Sequence, residues 1–168
     1  MASELIVQNL KGPASGSNAN KIIVPSGHKL SLNGETKTEW GLSIKQKVQS
    51  IQTSYVTVNS ATPTTVMSVS ITVSAGSTVF VTAQGEQNNS DTGDAWQWHQ
   101  LYRDSTALGT SAITVCRAGW NEEFHHSFWD ENLSAGTYTY SFKAWNGDPY
   151  MQYGEHSNPM IQCVEFGV

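Results

Sequence analysis

Charged residues and long apolar runs are scarce in this sequence. Charged side chains make up 14% of the 168 residues, while serine, threonine, glycine and asparagine are common. Such a composition favours strands and turns over helices or a disordered acidic chain. No apolar run approaches the ~18 residues that a membrane helix needs. The chain does not open on a basic segment followed by an apolar core, so we expect synthesis in a cytosol.

Cysteine is equally rare, with Cys116 and Cys163 as its two occurrences. Each lies in an apolar, strand-like stretch, and buried free thiols are typical of a reducing compartment. A disulfide between them is the alternative, because the sequence does not fix the distance between the two residues.

Basic residues are few and unevenly placed. Residues 1–50 hold six lysines against three glutamates, a net charge of +3, whereas residues 51–168 hold three basic against eleven acidic residues, a net charge of −8. This asymmetry indicates two segments with different neighbours. It also argues against nucleic acid as a partner of the larger segment, since binding phosphates requires clustered lysine and arginine.

A hairpin in the middle of the chain is the clearest structural signal. Trp96, Trp98 and Tyr102 share one parity, so they lie on one face of a strand. Residues 104–106, Asp-Ser-Thr, favour a turn, and Ile113 begins the apolar part of a returning strand. Because buried aromatic side chains dominate protein cores, we predict that this aromatic face belongs to the core.

Two-residue periodicity continues through most of the chain after residue 53. The alternating positions predict strands with one buried face, separated by turns at residues 75–77 and 134–136, and they include Met67, Val69, Ile71, Val73, Val79, Val81, Ala83, Tyr138, Tyr140, Phe142 and Ala144. The fold predicted is all-β: residues 1–50 form a short-stranded arm and linker, and residues 51–168 form an antiparallel β-sandwich head, jelly-roll-like in type. Residues 40–52 fit neither the helix nor the strand pattern fully, and they are predicted to be a linker with some strand character.

Two polar stretches, residues 85–94 and 146–158, are predicted to be long loops. The second is rich in aromatic and polar side chains, which suit sugars or a partner surface because flat rings give contact area at little entropic cost. The alternative is that these rings pack against a subunit interface or the underside of the loop. The predicted binding residues, with one from a nearby turn, are Trp120, Trp145, Asp148, Tyr150, Tyr153 and His156.

Catalytic and metal-binding interpretations of the acidic and histidine pairs are weaker. Glu122-Glu123 and Asp130-Glu131 could act as acid and base, and His125-His126 could ligate a metal. Adjacent residues of a strand face opposite ways, however, so neither pair converges on one point. We therefore expect no enzyme, metal or cofactor.

Two regions resemble proteins of a known kind. Residues 6–30, IVQNLKGPASGSNANKIIVPSGHKL, resemble the N-terminal segment of bacteriophage virion proteins, especially tail-fibre-like proteins of marine and cyanobacterial phages. Residues 98–109, WHQLYRDSTALG, with residues 134–144, SAGTYTYSFKA, are similar to the C-terminal β-sandwich heads of such proteins.

The resemblance implies a non-enzymatic virion structural protein, commonly a homotrimer, that attaches to other virion proteins through its N-terminal arm. The expected role is a short tail fibre or spike touching the host surface, with a surface glycan as a possible ligand. Because the chain lacks a long shaft, a capsid decoration or collar protein is the alternative. The attachment residues implied are Leu5, Ile6, Val7, Lys11, Lys21, Ile22 and Ile23.

Overall fold

The computed structural model describes residues 30–32, 35–37, 43–89, 93–146, 151–154 and 157–167. No helix occurs among these residues, and thus none that is long and apolar enough to cross a membrane. The chain divides into two compact units, Met1–Trp40 and Gly41–Val168.

The described part of the first unit is a small antiparallel pair of strands. Strand β1, Leu30–Leu32, pairs with β2, Glu35–Lys37, and Leu32 faces Glu35. This pair lies within residues 1–50, where the sequence predicts short strands. The implied attachment residues lie outside the described residues, namely Leu5, Ile6, Val7, Lys11, Lys21, Ile22 and Ile23.

Antiparallel strands form the described part of the second unit. They are β3 (Ser43–Ile51), β4 (Val56–Val58), β5 (Thr64–Val73), β6 (Ser77–Asn89), β7 (Ala95–Arg103), β8 (Thr106–Cys116), β9 (Asn121–Leu133), β10 (Gly136–Trp145), β11 (Met151–Tyr153) and β12 (Met160–Gly167). Turns follow at the predicted places, including Asp104, whose φ of 52° closes the β7–β8 hairpin.

These strands form two antiparallel sheets. The small sheet has the order β5-β10-β7-β8, and the large sheet has the order β3-β12-β6-β11-β4, with β9 paired to β6. Their inner faces meet across the core, where the rings of Phe124 in the large sheet and Phe142 in the small sheet stack with centroids 4.6 Å apart. The predicted all-β class and the two-layer antiparallel arrangement are confirmed.

Alternation explains which side chains fill this core. Val79, Val81 and Ala83 on β6 are fully buried, as are Tyr140 and Phe142 on β10. Strands of this kind bury every second residue because successive side chains point to opposite faces of a sheet.

Both cysteines are buried free thiols, as predicted. Burial raises the pKa of Cys116 to about 11, with a contribution from Glu122, and that of Cys163 to about 12. Both thiols therefore stay protonated at neutral pH.

Two segments that the sequence assigns to a linker with some strand character and to a loop are regular strands. Residues 43–51 of the predicted linker form β3, which pairs along β12 at the edge of the large sheet. Residues 85–89 of the predicted loop continue β6, where β9 pairs on one side and β11 on the other. Polar residues extend a strand here because neighbouring strands accept their backbone hydrogen bonds, a condition that local composition does not reveal.

Gly85 is where the extended β6 passes close to the chain before β12. A Cβ at Gly85 would lie 2.6 Å from Cβ and 2.7 Å from Cα of Pro159, and its φ is 157°. We expect Gly85→Ala to cost about 1–3 kcal/mol of unfolding free energy, because the backbone of Pro159 must move and alanine rarely adopts this φ. Urea unfolding measures this cost.

Gly76 supplies the matched control for that substitution. Its φ is +77°, but no atom lies within 4 Å of the position that a methyl group would take there, so Gly76→Ala tests backbone conformation alone. Equal losses in the two variants would show that the contact with Pro159 has no energetic weight.

Candidate functional site

The outer face of β7 carries the side chains that the sequence places in the core. Trp96 is 59% exposed and Trp98 is 37% exposed, while Ala95, Gln97 and His99 are buried. The predicted period of two is confirmed, but the predicted orientation of its aromatic face is wrong. Space between the sheets is filled by the smaller side chains of β7, so its tryptophans lie on the outside.

These tryptophans join apolar side chains of the two neighbouring strands. Trp98 lies opposite Trp145 of β10 on one side and Ile113 of β8 on the other. The rings of Trp98 and Trp145 are nearly parallel, at 9°, with centroids 6.3 Å apart. Trp96 lies opposite Val115. We call this surface the aromatic face, and it comprises Trp96, Trp98, Ile113, Val115 and Trp145.

Polar side chains continue the same outer surface along the strands. Lys143 lies opposite Gln100, and its ammonium sits 4.2 Å from the ring centroid of Tyr102. The Gln100 amide donates a hydrogen bond from Nε2 to the carbonyl of Gly109, at 3.0 Å. Both contacts hold polar groups in place beside the aromatic face, so the surface is largely pre-organised.

The binding residues predicted from the sequence do not form one group. Trp145 belongs to the aromatic face, whereas Trp120 is 60% exposed in the turn between β8 and β9, with the Arg117 guanidinium 5.8 Å from its ring centroid. Tyr153 is fully buried, so its predicted role in surface binding is wrong. The remaining three, Asp148, Tyr150 and His156, lie outside the described residues.

Tyr153 is buried because part of the predicted loop 146–158 is a strand. Residues 151–153 form β11, which pairs with both β4 and β6 and directs Tyr153 between the sheets. Its hydroxyl lies 2.6 Å from Nε2 of His99, and Thr114 lies 3.0 Å from Nδ1 of the same ring. Burial raises the pKa of Tyr153 well above its usual value and, with His126 nearby, lowers that of His99 to about 3. Both side chains are therefore neutral parts of the core.

The acidic and histidine pairs point apart along β9, as the sequence predicts. Glu123 and His125 face outward, and Glu123 lies opposite Glu86 of β6. These three side chains line an open groove of about 740 Å³ on the large sheet. Within the described ranges, no group of three histidine, cysteine or acidic side chains could hold a metal ion.

Sequence reasoning missed Trp96 and Trp98 as surface residues. The size of the side chains was the one available signal. The other face of β7 is more polar, but its side chains are smaller than tryptophan: Ala95, Gln97, His99 and Leu101. Size complementarity with the opposing sheet decides such a case, and the sequence of a single strand does not show it.

No protein-family model and no curated protein matches this sequence.

Proposed function

We propose that this chain is a structural protein of a bacteriophage virion, whose sandwich contacts the host surface through the aromatic face. In this proposal three copies assemble, each sandwich is jelly-roll-like, and the N-terminal arm of residues 1–40 attaches each copy to another virion protein. The single observation that supports a contact role best is the exposure of Trp96 and Trp98 beside the half-buried Trp145 on one hydrogen-bonded sheet. The assignment to a virion comes from the resemblance of residues 6–30, 98–109 and 134–144.

Exposed tryptophans at this density need a physical reason. Contiguous apolar patches on soluble proteins commonly mark interaction sites, because each exposed ring costs solvation free energy that contact with a partner recovers. The hydrogen-bonded strands fix the backbone beneath Trp98 and Trp145, so little conformational entropy remains to be lost on binding. These properties suit a surface that meets its partner without rearrangement.

A cell-binding assay with the purified full-length protein tests this proposal. We expect Trp98→Ala to weaken binding to host cells or isolated envelopes by at least about tenfold, in the range of interface hot spots. The matched control is Trp129→Ala, since Trp129 is 49% exposed but lies on the large sheet. A protein without affinity for cells or envelope fractions would refute the host-contact role.

The second candidate is a capsid decoration or collar protein, and a second aromatic cluster favours it. Trp129 lies over Phe80 with ring centroids 4.4 Å apart and beside Phe166 at 5.4 Å, on the large sheet rather than the small one. A protein that clamps neighbours needs contact surfaces on two sides, and these two clusters supply them. In that case Trp129→Ala would weaken attachment to the particle.

Location of the protein in images of intact virions separates the two candidates. A fibre or spike is expected at the tail, and a decoration protein is expected over the capsid surface. Attachment through the arm is expected to weaken with added salt if Lys11 and Lys21 contribute, because salt screens exposed charges. Mass measurement of the purified protein tests the proposed three copies.

A further inference from the structure

The outer surface of the small sheet changes character along its strands. At one end lies the aromatic face, and next to it come Lys143, Gln100 and Tyr102. Towards the other end, β5 and β10 carry paired hydroxyls: Ser70 with Thr139 at 2.9 Å, and Thr72 with Thr137 at 2.7 Å. A ligand lying across this surface would meet apolar rings first and hydrogen-bonding groups second.

Spacing along β7 gives this surface a repeat. Trp96, Trp98, Gln100 and Tyr102 occupy alternate positions of one strand, facing outward. Alternate residues of a strand are about 6.8 Å apart, so the row from Trp96 to Tyr102 extends about 20 Å. The row follows one strand, with an irregularity in its pairing with β8 between His99 and Leu101, and it suits an extended ligand with several similar units.

The small number of charges on this surface indicates which class of ligand it can bind. None of the side chains named in the aromatic face or in the row on β7 is charged. The adjacent charge is Lys143 of β10, whose ammonium lies over the ring of Tyr102. A nucleic acid would require clustered cations, which this surface lacks. Flat rings combined with amide, ammonium and hydroxyl groups suit units that have an apolar C–H face and polar edges, as pyranose rings have.

We propose that the row Trp96–Trp98–Gln100–Tyr102 binds a linear, uncharged polysaccharide that lies along β7, with Trp145 widening the platform beside Trp98. Sugar faces contact the indole rings, and sugar hydroxyls exchange hydrogen bonds with Gln100 and Lys143. This inference rests on the proposed function, because it names the class of partner that the aromatic face contacts.

Titration calorimetry of the full-length protein with neutral linear oligosaccharides tests the proposal. The probes are gluco-, manno- and xylo-oligosaccharides of two to six units, with both α- and β-linked gluco-series. We expect affinity for at least one series to rise with length and to level off at about four units, since the row is about 20 Å long. Added EDTA or 0.5 M salt should leave the affinity unchanged.

Substitutions along β7 test whether the oligosaccharide binds at the row from Trp96 to Tyr102. Trp98→Ala and Trp96→Ala should each weaken binding at least about tenfold, and Gln100→Ala should weaken it less. The matched control is Tyr55→Ala, at a 60% exposed position between β3 and β4, which should leave binding unchanged. Thermal unfolding of each variant shows whether the fold is intact, and Trp98→Phe, which keeps an aromatic ring, should retain part of the affinity. No binding of any probe series, or binding indifferent to Trp96 and Trp98, overturns the proposal.

Periodate treatment of the host cells shows whether the polysaccharide ligand alone is wrong or whether the host-contact role is wrong as well. Periodate cleaves vicinal diols of surface sugars, so it should abolish the cell binding that depends on Trp98. Binding that depends on Trp98 but survives periodate would keep host contact and refute a polysaccharide ligand whose sugars carry vicinal diols. If Trp98→Ala instead breaks an assembly into single chains, a second copy covers the aromatic face, and both proposals fail.

Discussion

Replacing Asp130 with alanine is expected to lower the free energy of unfolding by about 3 kcal/mol. Asp130 of β9 is 6% exposed and accepts hydrogen bonds from Arg103 of β7 at 2.8 and 3.0 Å, and from the buried Tyr140 hydroxyl of β10 at 2.8 Å. One carboxylate thus ties the large sheet to two strands of the small sheet. Urea unfolding at pH 7 measures the loss.

The expected loss of about 3 kcal/mol lies at the low end of the range for broken buried ion pairs, because one partner is partly exposed. The Arg103 side chain is 29% exposed, so it can regain water when its partner is removed, whereas the Tyr140 hydroxyl cannot. Glu131→Ala is the matched control, because Glu131 is the exposed neighbour of Asp130 on the same strand and should change stability by less than about 0.5 kcal/mol. Similar losses in both variants would contradict this account.

Acidification from pH 7 to pH 5 is expected to lower the free energy of unfolding by about 2 kcal/mol through His99. Burial, with His126 as a second cause, lowers the pKa of His99 from 6.5 to about 3. Below pH 6.5 the unfolded chain therefore binds a proton that the folded chain does not bind. Stability is full above that pH and falls by about 1.4 kcal/mol for each pH unit lost.

His99→Gln isolates this effect, since glutamine keeps polar atoms near Tyr153 and Thr114 but does not titrate. The variant should show a flatter dependence of unfolding free energy on pH between 7 and 5. His126, whose pKa burial also lowers, accounts for slope that persists in the variant. An unchanged slope in His99→Gln would refute the role of His99.

Protonation of Glu165 would also lower the free energy of unfolding, but it takes place below pH 5, outside the range measured for His99. Burial raises the pKa of Glu165, but hydrogen bonds from Ser77, Gln46 and the Ser74 amide outweigh it and lower the pKa below 4.5. Its contribution is present above pH 4.5 and is lost as pH falls through the lowered value. Measurements at pH 5 and above therefore report on the histidines.

Local pattern is a sound guide wherever a strand contains both an apolar and a polar face. On β10, Tyr140, Phe142 and Ala144 are predicted to be buried and are fully buried. Polar strands do not show this pattern, and so β11 and the end of β6 are wrongly predicted to be loops. Gln87 is buried although its sequence neighbourhood is polar, because β9 and β11 enclose that end of β6.

The sequence by itself determined the secondary structure class, the hairpin turn at Asp104 and the two-residue period of β7. Tertiary structure alone decided which side of β7 faces inward. Periodicity defines two faces but does not label them, and the inner one is chosen by what the opposing sheet can accommodate. Tyr153 supplies the hydrogen-bond partner that allows the His99 imidazole, rather than an indole of the same strand, to lie in the core. It lies 54 residues further along the chain than His99. The indole rings are consequently left on the surface, where they form the aromatic face.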